Sequence, residues 1–344
     1  MKLARGLLVP IVCVLLLDAS FLTAQTYKVE QSNTTENLRG LSVPSRSVIW
    51  AGGTHGTYLR SLDGGSSWHA AQVPGTESLD FRDVEAFDAK RAYLLSAGPG
   101  EQSRIYKTED GGGHWQLQFT NPDPAGFFDC MAFWDPSHGI AVGDPVSGQF
   151  VLIATIDGGR HWNKIPSDQL PPAVEGEGAF AASGTCIATA GKSNVWFATG
   201  GKVARVFHSV DAGANWSVAD APIVHGAASA GIFSVMFRNS HDGVIAGGDY
   251  KQPEQDGPNL AFTTDGGATW KLVPVSPQFY VSAVAWDAAG SLVVGSTRAA
   301  FAEGGMSKSW KKIWDLNLNA VRFFAPGRAV AVGPKGAVVT FDLR

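Results

Sequence analysis

The stretch Thr155-Ile156-Asp157-Gly158-Gly159-Arg160-His161-Trp162 decides how this chain is read, because its pattern recurs. Ser/Thr-x-Asp-x-Gly-x-x-Trp is also met as Ser61-Leu62-Asp63-Gly64-Gly65-Ser66-Ser67-Trp68 and as Thr108-Glu109-Asp110-Gly111-Gly112-Gly113-His114-Trp115. Two further copies place Asp211 before Trp216 and Asp265 before Trp270. Successive aspartates lie 47, 47, 54 and 54 residues apart, and a period in this range marks stacked supersecondary units.

The chemistry of the box explains its spacing. Asp accepts hydrogen bonds from amides ahead of it and closes a turn. The Gly two residues on supplies a backbone conformation that side chains resist. Trp then covers the turn as the next strand begins, burying a large ring. Asp63, Asp110, Asp157, Asp211 and Asp265, with Trp68, Trp115, Trp162, Trp216 and Trp270, are therefore read as structural.

A second repeat supplies the remaining strands. Each unit holds two apolar runs around a short polar turn and ends in glycine, at Gly52, Gly98, Gly143, Gly200, Gly247, Gly295 and Gly333. Seven units follow. The sixth has an irregular box, Glu303-Gly304-Gly305 with Trp310 two residues late, and the seventh ends at Thr340-Phe341-Asp342 without an outer strand. The alternating segment from Tyr27 to Gln31 is expected to be that strand and to close the ring, which removes an open edge.

Composition agrees with an all-β chain. Of 344 residues, 41 are Gly and 11 are Trp, and charged residues make up only 17%, against roughly 25% in an average domain. That balance excludes a disordered tail protein. A net charge of −4 leaves no excess of Lys and Arg for nucleic acid.

Lys2 and Arg5 precede an apolar run over residues 7–17, and Leu22-Thr23-Ala24 offers a cleavage site. The run is too short for a membrane span of about 20 residues and reads as a secretory signal. The expected organisation is a signal peptide, 1–24, and one propeller domain, 25–344. The mature protein is expected to be periplasmic or secreted, monomeric and without a membrane span. Cys13 leaves with the signal. Cys130 and Cys186 align in neighbouring inner strands but are expected to stay buried and free, the strands lying beyond the roughly 7 Å reach of a disulfide.

The boxes resemble the Asp-box (BNR) repeats of sialidase-like β-propellers. Across nearly the whole mature chain, the sequence is similar to bacterial proteins called photosystem II stability/assembly factor-like. The segments that carry this are Phe128-Asp129-Cys130-Met131-Ala132-Phe133-Trp134, Gly176-Glu177-Gly178-Ala179-Phe180-Ala181-Ala182-Ser183-Gly184-Thr185 and Gly247-Gly248-Asp249-Tyr250. The resemblance implies seven four-stranded blades, with the innermost strand first and the boxes between the third and fourth strands. It carries over no catalytic residue, because one fold hosts many functions.

The boxes then occupy one face, and a site is expected on the other, around the channel mouth. Aligned inner strands give a column of Asn37, Asp83, Asp129, Thr185, Ser234, Ser282 and Asn319. Second-to-third-strand loops add Asp144, Asp249 and Tyr250, and a long loop over residues 165–182 adds Glu175 and Glu177. Aromatic candidates are Phe81, Phe127 and Tyr280; cationic ones are Arg82, Arg205, Lys251 and Arg298. Blades 2 to 5 are expected to form an acidic, aromatic-edged pocket, although such polar residues also serve to satisfy backbone groups.

No other chemistry stands out. Ala190-Gly191-Lys192-Ser193 has the tail of a phosphate loop, but Cys186 replaces its first glycine. Neither a GxSxG elbow nor an HExxH helix occurs, and no metal or cofactor is expected. Two functions remain: a protein-binding scaffold or assembly/stability factor, and a sialidase-like glycoside hydrolase. The hydrolase would draw its paired carboxylates from Asp83, Asp129, Asp144, Glu177 and Asp249, with Arg205 on an anionic sugar. The partner at the top face is thus a protein or a glycan.

Overall fold

The computed structural model describes residues 25–274, 277–288, 290–303 and 310–343. The expected signal peptide, 1–24, and residues 304–309 of the irregular sixth box lie outside them.

The described strands form seven antiparallel blades of four strands, arranged in a ring. Each blade runs inner to outer in chain order, as in blade 2: Phe81–Ala86, Ala92–Ser96, Arg104–Thr108 and Gln116–Thr120. Blade 7 is the exception. Its outer strand is Thr26–Glu30 from the other end of the chain, paired with Val338–Asp342 from Thr26 opposite Asp342 to Glu30 opposite Val338. The ring is closed as the alternation after residue 25 predicts.

Each seam between blades has its own core. Leu38, Ile49 and Leu59 of blade 1 pack on Val330 and Val332 of blade 7, while Tyr93 and Ile105 of blade 2 meet Met131 and Ile153 of blade 3. The inner three strands are thus buried on both faces and read as nearly continuous apolar runs, such as Ile140-Ala141-Val142. This explains the low charge fraction.

The boxes turn the third strand into the fourth. In blade 1 the Ser61 hydroxyl donates to Asp63 Oδ1 at 2.9 Å and accepts the Gly65 amide at 2.8 Å. Asp63 Oδ1 also accepts the Ser67 amide at 2.9 Å, and the Trp68 indole donates to the Gly65 carbonyl at 2.9 Å. The serine or threonine and the aspartate make these bonds in all five boxes. Left-handed backbone is required at Gly213, φ 92°, and even at Ala212, φ 59°, which occupies a position that is glycine in the other boxes. Neighbouring blades grip the turns: Tyr93 donates to the Gly158 carbonyl and Trp196 to the Gly266 carbonyl, both at 2.7 Å.

Cys130 and Cys186 form a disulfide, contrary to the sequence expectation of free thiols. Their Cα atoms are 6.0 Å apart. The inner strands of blades 3 and 4 converge toward the axis closely enough to fall within the bonding range, although no ladder joins them.

Candidate functional site

The inner strands carry a shared irregularity that linear alignment misses. Pairing with the second strand slips by one residue between Leu38 and Gly40, Phe81 and Asp83, Phe128 and Cys130, and Ile232 and Ser234. The extra residues are Arg39, Arg82, Asp129 and Phe233. A bulge re-aims the residue it inserts, and all four line one pocket at the channel mouth. Asp83 is therefore equivalent to Cys130 and not to Asp129, which corrects the column drawn from sequence.

Most of the remaining column braces one blade to the next. Asp83 Oδ2 accepts the Met131 amide of blade 3 at 2.6 Å, and the Ser234 hydroxyl accepts the Val284 amide of blade 6 at 3.3 Å. The Ser282 hydroxyl reaches the Leu318 carbonyl at 3.2 Å, and Asn319 donates to Asn37 Oδ1 at 2.8 Å. The Thr185 carbonyl accepts the Val235 amide at 2.7 Å. Burial, reinforced by the nearby Glu85 charge, holds the Asp83 carboxyl well above the usual carboxylate range.

The pocket encloses about 1190 Å³ and lies among the bulges, the second-to-third-strand loops and the long loop before blade 4. That loop crosses the mouth. Glu177–Gly178 pairs with Gly200–Gly201, which continues onto the inner strand of blade 5. Phe180 then stacks on Phe233, with ring centroids 4.0 Å apart, and Tyr280 meets Phe233 edge-on at 4.9 Å. Arg82 donates to the Ala181 carbonyl and Arg39 to the Ala182 carbonyl, both at 3.3 Å. The Arg82 guanidinium also pairs with Asp80 at 2.7 Å.

The candidate carboxylates separate into two groups. Glu177 has a fully buried side chain that accepts from Arg205 Nε at 2.9 Å and Nη2 at 2.5 Å, from the Thr199 hydroxyl at 2.6 Å and from the Val174 amide at 2.8 Å. Those bonds fasten the loop and leave Arg205 committed to Glu177. Asp249 caps its own turn through the Lys251 amide at 2.9 Å. With Asp83 bound to Met131, Asp129 and Asp144 are the two of the five named carboxylates that line the pocket without forming an ion pair among the described residues, the Arg82 charge acting on Asp129 from farther off. Burial raises both, and the Asp144 charge raises Asp129 further.

The other candidates are placed as follows. Phe127, Tyr280 and Tyr250 line the pocket, the last 47% exposed at its rim. Glu175 also lies on the lining, whereas Phe81 is fully buried within its blade seam. Arg298 pairs with Glu254 and is not part of that lining. Sequence reasoning did not single out Arg39, Phe180 or Phe233; the signal for Arg39 and Phe233 is the residue between the strand-opening aliphatic and the small residue in Leu38-Arg39-Gly40 and Ile232-Phe233-Ser234. Among the described residues no group of three His, Cys, Asp or Glu side chains is arranged for a metal, and no helix is long and apolar enough to cross a membrane.

Fold and site define a seven-bladed β-propeller with a mixed-charge, aromatic-walled pocket on the face opposite its boxes. No protein-family model matches the chain, and no curated protein does. Among solved structures it is similar to YCF48 from Cyanidioschyzon merolae, at 16% identity and TM-score 0.66, over 92% of this chain and 98% of that one. It is also similar to YCF48 bound to a D1 peptide, at 15% identity and TM-score 0.64, over 92% and 96% of the two chains. The WD40 repeats of RRP9 match at 14% identity and TM-score 0.62, over 92% and 97%. At such identities the likeness is one of fold.

Proposed function

We propose that this chain is an exported, monomeric propeller whose loop-face pocket holds a segment of a partner protein, so that it serves as a scaffold or assembly/stability factor. The observation that carries this reading is the pocket itself. Four inner-strand bulges bring two guanidinium groups, a carboxyl and an aromatic ring to one opening of about 1190 Å³. A site on rigid strands with both charges and an apolar wall suits a peptide, whose side chains alternate in character. The similar fold of YCF48 bound to a D1 peptide supports the same use of a propeller of this size. Its agreement with the assembly-factor resemblance of the sequence adds to that support.

The glycosidase alternative has less behind it. Asp83, Glu177 and Asp249 are engaged with the fold, and Arg205 is held by Glu177 rather than offered to an anionic sugar.

The test places a photo-crosslinking amino acid at Tyr250 in the exported protein. A discrete cross-linked protein that weakens in Arg82→Ala is the expected result. Hydrolysis of fluorogenic glycosides without any such product would replace this reading with the enzymatic one. N-terminal sequencing of the exported chain is expected to begin at Gln25.

A further inference from the structure

Asp129 is 2% exposed, yet it lines the pocket; the Ala181 and Asp144 amides lie beside its carboxyl, but among the described residues no hydrogen-bond donor reaches its Oδ2. A buried carboxyl oxygen without a donor is costly, and such atoms are rare in folded proteins. The neighbouring carboxyl, Asp144, lines the same part of the pocket and uses its Oδ1 to accept the Ala179 amide at 2.9 Å. The two acids arise from successive strands of blade 3, Phe128–Phe133 and Gly139–Val146, so their spacing is set by one hairpin.

The loop opposite is equally fixed. Glu177, bound to Arg205, anchors it, and Gly178 lies where an added Cβ would come within 2.8 Å of Asp144 Oδ1. The loop therefore forms a fixed wall of the pocket beside the two acids.

We infer that Asp129 and Asp144 form a subsite for a basic side chain, lysine or arginine, of the partner protein. This rests on the peptide-binding reading above and names the chemistry of one position in that peptide. The aromatic wall of Phe127 would flank the aliphatic stem of such a residue, as long cationic side chains lie along apolar surface while the head stays polar. An ammonium or guanidinium head beside the pair supplies the positive charge that neither acid has in an ion pair among the described residues, and offsets the repulsion between the two acids once both are ionised. A neutral donor would supply no charge to the pair.

Charged groups around the pair are Arg82 from blade 2, with Arg39 of blade 1, Glu175 and Glu177 also on the pocket lining and Arg205 held by Glu177. Arg82 is already engaged by Asp80 and the Ala181 carbonyl, and forms no ion pair with Asp129. Burial favours the protonated form of Asp129 in the empty pocket. Cation binding releases that proton, so affinity rises with pH through the raised range of Asp129.

The experiment pans a random hexapeptide library on the mature chain and on Asp129→Asn, which keeps the shape and Oδ1 of the side chain. Wild type is expected to enrich lysine or arginine at one position. Replacing that residue by norleucine is expected to weaken binding at least about tenfold, as for a hydrogen bond to a charged group. Asp129→Asn should lose the preference while keeping a cooperative unfolding transition, and Asp144→Asn should weaken it. Calorimetry in buffers of different ionisation enthalpy should record proton release, and n-butylamine should compete for wild type alone. Enriched peptides without a basic position, or norleucine binding equally well, would overturn this inference and leave the peptide reading standing. Failure of wild type to enrich any peptide would overturn both.

Discussion

Cys130 of blade 3 is covalently bonded to Cys186 of blade 4, one residue beyond the bulge that turns Asp129 into the pocket. The bond locks the seam beneath the long loop, where no strand ladder joins the blades. It also shares a level with Asp83, whose bond to the Met131 amide braces the preceding seam.

Removing the disulfide should therefore cost substantial stability. A sequence separation of 56 residues corresponds to about 4 kcal/mol in the chain-entropy model. The double Cys130→Ala, Cys186→Ala variant is expected to show a lower denaturation midpoint than wild type. The difference should vanish when both are unfolded under strong reductant. Equal midpoints without reductant would mean the seam is held by its side chains alone.

Glu177→Gln is expected to be among the most disruptive single changes on the loop face. It leaves the largely buried Arg205 without its carboxylate, and breaking a buried pair in this way costs about 3–5 kcal/mol. Urea denaturation measures the loss. Limited proteolysis should show early cleavage between residues 165 and 182, because the same carboxylate holds the Val174 amide.

The boxes predict an acid limb to stability. Hydrogen bonds from the His114 amide and ring hold Asp110 at about 2, the His161 ring and amide do the same for Asp157, and the Thr269 and Thr263 hydroxyls hold Asp265 at about 2. A carboxyl lowered in the folded state contributes stability that is complete above its unfolded value and is lost as pH falls through the folded one. Thermal midpoints should thus drop between about pH 4 and pH 2. Thr155→Val, which removes the hydroxyl bonded to both Asp157 and the Gly159 amide, should cost about 1–3 kcal/mol at neutral pH and flatten this limb.

Glu85 works in the opposite sense. Burial raises it to about 7, with the Arg322 charge holding it down in part. The folded state then binds a proton that the unfolded chain has released, so stability falls as pH rises from about 4.3 to 7. Glu85→Gln should remove that slope. A slope unchanged in this variant would assign it to Asp83 or Asp129 instead.

Blade number, ring closure and the box turns were legible in the sequence because each is encoded within a few adjacent residues. Five boxes repeat the same hydroxyl, carboxylate and indole within eight positions, so the turn forms from local hydrogen bonds wherever the motif occurs. Tyr27 and Val29 alternate with neighbours and need only a strand edge to meet. The pocket was not legible in the same way. Whether Asp83 or Arg82 faces the mouth depends on a one-residue slip against the second strand, and a slip of one sends a side chain to the other side. Linear alignment counts residues and cannot count a bulge.

The repeat thus determined by itself that the chain makes seven blades closed by its own first strand. Only the tertiary structure decided that Arg39, Arg82, Asp129 and Phe233 share an opening, that Glu177 belongs to Arg205, and that two cysteines 56 positions apart are bonded. The reason is the range of the forces involved. Turn chemistry acts between near neighbours in the chain, whereas the bulges, the buried ion pair and the disulfide depend on how one blade packs against the next.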